Sequence, residues 1–403
     1  MTAYGRCGRS TRGIAPTLER VTLYLDHAAT TPLRPEAFDA MKPWLTTAFG
    51  NPSGGHRIAR EACRAVDEAR DAVAASLGCQ PGEMVFTAGG TEADNLAVSG
   101  VLAAARLRGG PTGAVCSAIE HHAVLHAVEA EGGHTVAVDR AGRVDLDALA
   151  DAIDADTALV SVMLANNEVG TIEDLAAVAS VIRERSPRAV LHTDAVQAVA
   201  WLDVATRAAP AALVSIAGHK FGGPQGTGAL VVRDGVRLSP LLQGGGQERG
   251  RRSGTHNVAG IVGMAAALSA TVADRDTAVD AVRRRRDRLV AGIAGALGGV
   301  VESAAGVERL PNIAHLRLSG VDSEALLVLL DDDGLCASAG SSCASGAMEP
   351  SHVLAAMGVA RADARTAVRL SLGRTTTDAD VERGIDAVVA ADSRLRSPVG
   401  AGR

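Results

Sequence analysis

The sequence predicts an α/β fold, in which a mostly parallel sheet carries helices on both faces and a smaller α+β unit follows toward the C-terminus. Two observations favour this class. Short runs of consecutive apolar residues alternate with longer segments of helical apolar spacing between residues 84 and 232, the pattern of strands that are buried on both faces. The residues with reactive or ligand-binding side chains follow the ends of these runs, where sites in parallel sheets form.

The predicted elements follow from these patterns in order. A short apolar strand at 21–25 leads into a turn-rich stretch, and helical spacing then covers 35–45 and 56–77. Further strands are predicted at 84–87, 114–117, 159–164, 190–193, 212–215 and 229–232, and further helices at 91–108, 123–131 and 174–185. Helical spacing continues to about residue 296, and strands at 314–318 and 368–372 belong to the C-terminal unit.

The composition is that of a globular protein. The chain has 403 residues, 47% apolar residues, 21% charged residues and a formal charge of −6, which does not favour nucleic-acid or membrane binding. Residues 1–20 carry scattered arginines without an apolar core, so no signal peptide is expected there. The six cysteines lie far apart without CxxC pairs, which argues against a zinc site or disulfide framework and favours the reducing cytoplasm.

One lysine stands out by its rarity. Of the forty Lys and Arg residues only Lys42 and Lys220 are lysines, and Lys42 lies on a predicted exposed helix. A lysine kept amid so many arginines is a candidate for chemistry that needs a neutral amine, such as Schiff-base formation. Lys220 follows an apolar run and lies among glycines. Taken alone, it would also fit a surface lysine in a glycine-rich turn.

A carboxylate at a neighbouring strand end sharpens this interpretation. Asp194 follows the strand at 190–193, and Gln197 comes three residues later. Alone, Asp194 would equally fit a helix cap. Paired with Lys220, it suggests a carboxylate that keeps a pyridine nitrogen protonated. Strand, Asp, strand, Lys is the order used by enzymes that bind pyridoxal phosphate.

Other strand ends carry candidates for the rest of such a site. The turn at 87–92 contains Gly90 and Thr91 before a helix, which suits a phosphate, although many strand-to-helix joints contain glycine. His219 is a second candidate for the phosphate. His121 is suited to ring stacking and proton transfer, or to a structural role. Asn167 is suited to a cofactor hydroxyl or substrate carboxylate, or to an Asx turn.

Two residues near the C-terminus complete the pattern. Cys343 lies among small residues at 337–350, which predicts an exposed, mobile loop and a thiol that reaches into a site and swings out. Cys336 has apolar neighbours and is expected to be structural. Arg369 is the single arginine in an otherwise small or apolar strand, and is suited to a bidentate grip on a carboxylate.

With these residues the chain resembles the cysteine desulfurases of the class V aminotransferase family, the IscS/NifS-like group. The resemblance covers about residues 23–377. It rests on blocks that occur in order at 24–32, 50–53, 87–95, 165–170, 218–228, 252–255 and 343–350.

The resemblance implies a fold-type I transferase that binds pyridoxal 5′-phosphate and acts on L-cysteine. It implies a Schiff base on Lys220, a persulfide on Cys343, and an acid/base role for a ring-stacking His121. Asp194 would pair with the pyridine nitrogen, Gln197 and Asn167 would contact the ring hydroxyl, and Arg369 with Asn167 would bind the substrate. The phosphate contacts implied are Gly90, Thr91, His219 and, from the neighbouring subunit of a homodimer, Thr255.

The resemblance also bears on organisation and partners. It implies a tail at 1–20, a small domain at 21–34 and 272–403, and a large cofactor-binding domain at 35–271. The persulfide would pass to an acceptor protein, either an iron–sulfur scaffold or a thiolation enzyme. No metal is expected in the resting enzyme, with Cys343 a candidate transient ligand of an iron–sulfur cluster.

One departure from the family pattern concerns the phosphate. The family has Ser-Gly-His-Lys or Ser-Ala-His-Lys before the reactive lysine, whereas this chain has Ala217. Ser215 is not expected to replace that hydroxyl if it lies on the same strand. Alternatives are a selenocysteine lyase, another class V aminotransferase-like enzyme, or an inactive sulfur-relay subunit; a dehydrogenase is disfavoured because no G-x-G-x-x-G opens a strand-to-helix turn.

Overall fold

A computed structural model of the chain describes residues 22–340 and 351–397. The strands are β1 (Leu23–Tyr24), β2 (Met84–Thr87), β3 (Gly113–Ser117), β4 (His134–Val136), β5 (Thr157–Ser161), β6 (Val190–Asp194), β7 (Leu213–Ala217), β8 (Gly228–Val232), β9 (Val300–Glu302), β10 (Ile313–Leu318), β11 (Leu335–Cys336) and β12 (Ala367–Ser371). The helices are α1 (Pro35–Thr46), α2 (Arg57–Leu77), α3 (Gly90–Arg106), α4 (His122–Ala130), α5 (Leu146–Ala152), α6 (Leu175–Arg185), α7 (Val204–Arg207), α8 (Val258–Ala296), α9 (Ser323–Asp332), α10 (His352–Ala356), α11 (Arg361–Ala364) and α12 (Asp378–Arg396).

Seven strands form the main sheet, in the order β2-β8-β7-β6-β5-β3-β4. The strands from β3 to β7 pair in parallel, which confirms the predicted mostly parallel sheet. β8 is the exception, because it pairs antiparallel with both β7 and β2. Only residues 218–227 join β7 to β8, and a connection this short without a crossover helix turns the chain back. Lys220 lies in this tight connection.

Apolar residues cover both faces of the main sheet. Alternate strand residues contact α3 and α4 on one face, as Val85 does, while Met84 and Phe86 face the cluster that contains α2, α6 and α8 on the other. This two-sided burial explains why the strands appear in the sequence as continuous apolar runs.

The C-terminal unit contains a three-stranded antiparallel sheet, β12-β10-β9, and β1 pairs in parallel with β11 beside it. α8 has 39 residues and packs against α1 and α2 as well as β9, β10 and α12. It is the one described helix with the length and composition of a membrane span, and its most apolar window is 56% buried within the chain. The predicted domain boundary at 271/272 falls inside α8, and the division into domains stays a prediction.

Candidate active site

A cavity of about 270 Å³ opens where the carboxyl ends of β5, β6 and β7 face β12 of the small sheet. Most of the residues predicted from the sequence line it, namely Gly90, Thr91, His121, Asn167, Asp194, Gln197, His219, Lys220 and Arg369. Of the other two, Thr255 is not among its lining residues, and Cys343 lies outside the described residues. Side chains predicted to act together therefore share one cavity.

Lys220 enters this cavity from the end of β7. A single 3-10 turn, Gly218–Lys220, follows the strand, and a Cβ at Gly218 would lie 2.4 Å from the Thr227 hydroxyl. The glycine is therefore required for this tight turn. Lys220 Nζ donates to the carbonyl oxygens of Ala28 and Ala29, at 2.6 and 2.8 Å. The turn after β1 thus holds the amine at the cavity wall.

Asp194 is the last residue of β6 and is 5% exposed. Burial raises the pKa of its carboxyl to about 6, while the hydrogen bond from Val196 N and the charge of Lys220 oppose the shift. A buried carboxyl with a raised pKa gains most from a cationic partner. Gln197 Nε2 donates to the Ala28 carbonyl at 2.8 Å, so its amide oxygen remains available to accept a hydrogen bond.

The predicted phosphate turn lies at the N-terminus of α3, where free backbone N–H groups favour anions. A Cβ at Gly90 would lie 2.9 Å from a methyl of Val196 and 3.4 Å from Cβ of Ala217, so the backbone closely approaches β7 at this point. Across the opening, His219 Nδ1 lies 3.1 Å from the Thr30 hydroxyl. Burial and the charge of Lys220 lower the pKa of His219 to about 4, which makes it neutral near pH 7.

Ala217 also lines the cavity, at the position where the family pattern has serine. Ser215 lies on the same strand, is fully buried, and contacts His192 Nε2 at 3.0 Å. His192 in turn contacts the Ser161 hydroxyl at 2.8 Å. Ser215 is therefore engaged beneath the site and does not supply the missing hydroxyl.

His121 precedes α4 and caps it, because Nδ1 accepts a hydrogen bond from Ala123 N at 3.2 Å. Nε2 therefore carries the proton of the neutral ring. Burial, followed by the charges of Lys220 and neighbouring histidines, lowers the pKa of His121 to about 4. The sequence did not indicate one of those neighbours, His352, whose ring centroid lies 4.6 Å from that of His122.

Arg369 extends from β12 and is 2% exposed. Nη2 donates to Asp26 Oδ1 at 2.7 Å and Nη1 donates to the carbonyl oxygen of Asn167 at 2.9 Å. Nε is buried and, within residues 22–340 and 351–397, has no hydrogen-bond partner. Asp26 thus compensates the charge of the guanidinium, a role that the sequence did not indicate.

The sequence analysis also did not predict three buried carboxyls around the cavity. Asp94, Glu120 and Glu168 are each at most 2% exposed. Burial raises the pKa of all three. Glu120 accepts a hydrogen bond from Met163 N at 2.5 Å, and Asp94 lies 3.7 Å from His192 Nε2. The one feature of the sequence that could have pointed to Glu120 is its position directly before His121.

Thr255 is exposed on the loop before α8. The same loop is tied to the phosphate turn of its own chain, because Arg252 Nε donates to Glu92 Oε1 at 2.8 Å and Glu92 accepts from Ala88 N at 2.7 Å. The contribution of Thr255 to a neighbouring subunit stays a prediction.

The chain is similar to known proteins over most of its length. The family model described as Aminotransferase class-V matches residues 23–383. A protein of Mycobacterium tuberculosis named IscS-like cysteine desulfurase is 45% identical over 383 residues, covering 93% of this chain and 97% of that protein. A solved structure titled NifS-like protein matches with a TM-score of 0.86 and 33% identity, over 93% of this chain and 100% of that one. Another, titled SspA in complex with cysteine, matches with a TM-score of 0.75 and 30% identity, over 88% and 99%.

Proposed function

The chain belongs to the class V aminotransferase family, as an L-cysteine desulfurase, and we propose that the cavity around Lys220 is where sulfur leaves the substrate, with Cys343 as the thiol that receives it. The observation that carries the proposal is the convergence of an amine, a buried carboxyl and a buried guanidinium. Lys220 and Asp194 come from the main sheet and Arg369 comes from the small sheet.

The described residues fit pyridoxal phosphate. The buried carboxyl of Asp194 suits a protonated ring nitrogen. Gly90 and Thr91, at the N-terminus of α3, line the cavity where a phosphate would lie. When bound, the cofactor withdraws electrons from the substrate Cα. The proposed holding residues are Lys220 for the aldehyde, Asp194 for the ring nitrogen, Gln197 and Asn167 for the ring hydroxyl, His121 over the ring, and Gly90, Thr91, His219 and the neighbouring subunit's Thr255 for the phosphate.

Different residues of the chain carry out the separate steps of the reaction on L-cysteine. Arg369, with Asn167 beside it, binds the substrate carboxylate and orients Cα. Lys220 takes the proton from Cα, and His121 exchanges protons with the thiol. The Cys343 thiolate attacks the substrate sulfur, so that an S–S bond forms and the Cβ–S bond breaks. Cβ keeps the electron pair and takes up a proton, and Lys220 returns its proton to Cα. Alanine is then released, and a persulfide stays on Cys343.

The finer partners belong to the same proposal. The enzyme is a homodimer in the cytoplasm and passes its persulfide sulfur to an acceptor protein, either an iron–sulfur scaffold or a thiolation enzyme. It needs no metal at rest. Transfer through Cys343 also allows that residue to ligate a nascent cluster transiently.

The proposal is tested by a single turnover of the cofactor-loaded enzyme with L-cysteine. We expect equal amounts of alanine and of sulfur bound to Cys343, measured by amino-acid analysis and peptide mass spectrometry. Alanine formed without sulfur on Cys343 would contradict the role of that residue. Turnover with selenocysteine but not with cysteine would favour the lyase, and no spectral response to either would favour an inactive relay subunit.

Restoring the family's serine is expected to tighten cofactor binding. The Ala217 methyl lies beside Gly90 at the phosphate turn, so the hydroxyl of Ala217→Ser would reach the phosphate. A hydrogen bond to a charged group contributes about 1–3 kcal/mol, and we expect the cofactor dissociation constant to fall by about tenfold. Equilibrium titration of the cofactor-free enzyme measures it. Ser215→Ala is the comparison that removes a nearby hydroxyl without that gain; unchanged affinity in Ala217→Ser would contradict the assignment.

Neutralising the partner of Arg369 is expected to tighten substrate binding. In Asp26→Asn the amide oxygen still accepts from Nη2, but the guanidinium charge is uncompensated and attracts the substrate carboxylate more strongly. We expect KM for L-cysteine to fall by about tenfold, equivalent to ~1.4 kcal/mol, together with some loss of thermal stability from the broken ion pair. Initial-rate kinetics and alanine inhibition measure it, with exposed Asp39→Asn as the control. A raised KM would show that Asp26 chiefly orients the guanidinium.

A further inference from the structure

Glu168 lines the cavity but has no part in the chemistry proposed above. It directly follows Asn167, and its side chain is 2% exposed. Oε2 accepts a hydrogen bond from the Ser351 hydroxyl at 2.5 Å, across 183 residues of sequence. Ser351 is the first described residue after 341–350, the segment that contains Cys343.

The chain enters that segment beside the same oxygen. Gly340 is the last described residue before it and has φ +103°, in the region that favours glycine. A Cβ at Gly340 would lie 2.8 Å from Glu168 Oε2, so the Gly340 backbone packs directly on the carboxyl group. Gly340 N also donates to the Ser338 hydroxyl at 3.2 Å. Both ends of the Cys343 segment therefore meet at one buried carboxyl oxygen.

The Ser351 hydroxyl has two fixed partners. It caps α10 by accepting from Leu354 N at 3.1 Å, while its proton goes to Glu168. The carboxyl of Glu168 thus determines where α10 begins relative to the cavity. Burial raises the pKa of Glu168, and the bond from Ser351 and the charge of Arg369 oppose this shift.

We propose that Glu168 is a positioning residue that fastens Gly340 and Ser351 to the cavity wall and thereby sets the reach of Cys343 to the substrate sulfur. The inference rests on the proposed role of Cys343. Cys343 comes three positions after Gly340, and an extended chain of that length spans at most about 11 Å. Fixing Gly340 therefore limits the distance over which the chain can place a residue three positions later, and a misplacement of about 1 Å can slow a reaction by about a hundredfold.

The test separates substrate binding from sulfur transfer. Cofactor-loaded variants are mixed rapidly with L-cysteine, and two quantities are followed: the visible spectral change on substrate binding and the rate at which sulfur appears on Cys343. For Glu168→Ala we expect sulfur transfer to slow by about ten- to a hundredfold, while half-saturation of the spectral change stays within about twofold of the wild-type value. Glu168→Gln keeps an oxygen acceptor in a side chain of the same shape and should retain most of the wild-type rate of sulfur transfer.

Two further variants decide whether the effect runs through Ser351. Ser351→Ala should slow transfer in the same sense, and the double variant with Glu168→Ala should be no slower than the slower single variant, since both remove one interaction. Glu173→Ala is the matched control. It removes another buried carboxyl, which accepts from Val144 N at 3.1 Å, and should lower thermal stability without slowing transfer.

Wild-type transfer rates in Glu168→Ala would overturn the positioning role. So would a loss of substrate binding equal to the loss of rate, because that outcome places Glu168 in the binding of cysteine instead. If Glu168→Ala yields no folded enzyme, Gly340→Ala decides in its place, because its methyl presses on the same oxygen and should slow transfer. If the wild-type enzyme itself places no sulfur on Cys343, the proposed function fails rather than this inference.

Discussion

Replacing Lys220 by alanine is expected to abolish desulfurase turnover, and replacing it by arginine is expected to do the same. In the proposed mechanism, alanine removes the amine that attaches the cofactor and takes the Cα proton. Arginine keeps a positive charge but stays protonated at any working pH, so it supplies neither function. Because attachment and proton transfer are lost together, we expect turnover to fall by at least about ten-thousandfold. Alanine release from L-cysteine measures it.

The second lysine is the matched control for this experiment. Lys42 is exposed on α1, and Lys42→Ala and Lys42→Arg should retain wild-type turnover. The visible absorption that a cofactor bound through an amine produces should be absent in both Lys220 variants and unchanged in both Lys42 variants. Measurable turnover in Lys220→Arg would remove Lys220 from the chemistry and leave it as a cationic anchor.

Replacing Cys343 by serine is expected to stop sulfur transfer while leaving earlier events intact. A serine hydroxyl is a far weaker nucleophile toward sulfur than a thiolate, because it stays protonated near neutral pH. We expect alanine formation to fall by at least about a thousandfold, whereas cofactor content and the spectral response to L-cysteine stay at wild-type levels. Stopped-flow absorbance and alanine analysis on one sample measure both.

Cys336 provides the comparison within the same region. It lies on β11, paired with Tyr24, and is not among the residues that line the cavity. Cys336→Ser should therefore turn over within about twofold of the wild-type rate, since substitutions away from a site usually have small effects. If Cys343→Ser kept full turnover, the nucleophile would be another group. If Cys336→Ser lost turnover as well, the effect would reflect the fold of this region rather than one thiol.

Most of the fold was predictable because helix and strand leave different apolar periods in the sequence. The strand at Met84–Thr87 was predicted to the residue, and α2 and α6 were predicted to within one residue of their observed starts. The direction of β8 was not predictable in this way. A short apolar run looks alike in either orientation, and only the ten-residue connection from β7 and its two antiparallel neighbours determine it.

The site residues at the ends of neighbouring strands were predictable from the sequence. Residues whose hydrogen-bond partners are distant in sequence were not. Asp194 ends β6 and Lys220 follows β7, so the parallel pairing of these two strands brings them together. Asp26 and Glu168 lie within the sequence blocks at 24–32 and 165–170, but the sequence did not indicate their roles, because their partners lie 343 and 183 residues away. No local pattern encodes such pairs, and a contribution of Thr255 to another subunit needs a second chain.

The pairing of Asp26 with Arg369 has a consequence for how the protein is made. The two residues are 343 positions apart, and synthesis at about 5–20 residues per second separates their appearance by on the order of twenty to seventy seconds. Within that interval the main sheet, whose last residue in sequence is Val232, is fully synthesised, whereas α8, which packs on one of its faces, comes later. Arg369 is the last of the described cavity residues in sequence. Its ion pair with Asp26 can therefore form only after the strands that lead to Asp194 and Lys220 have been synthesised.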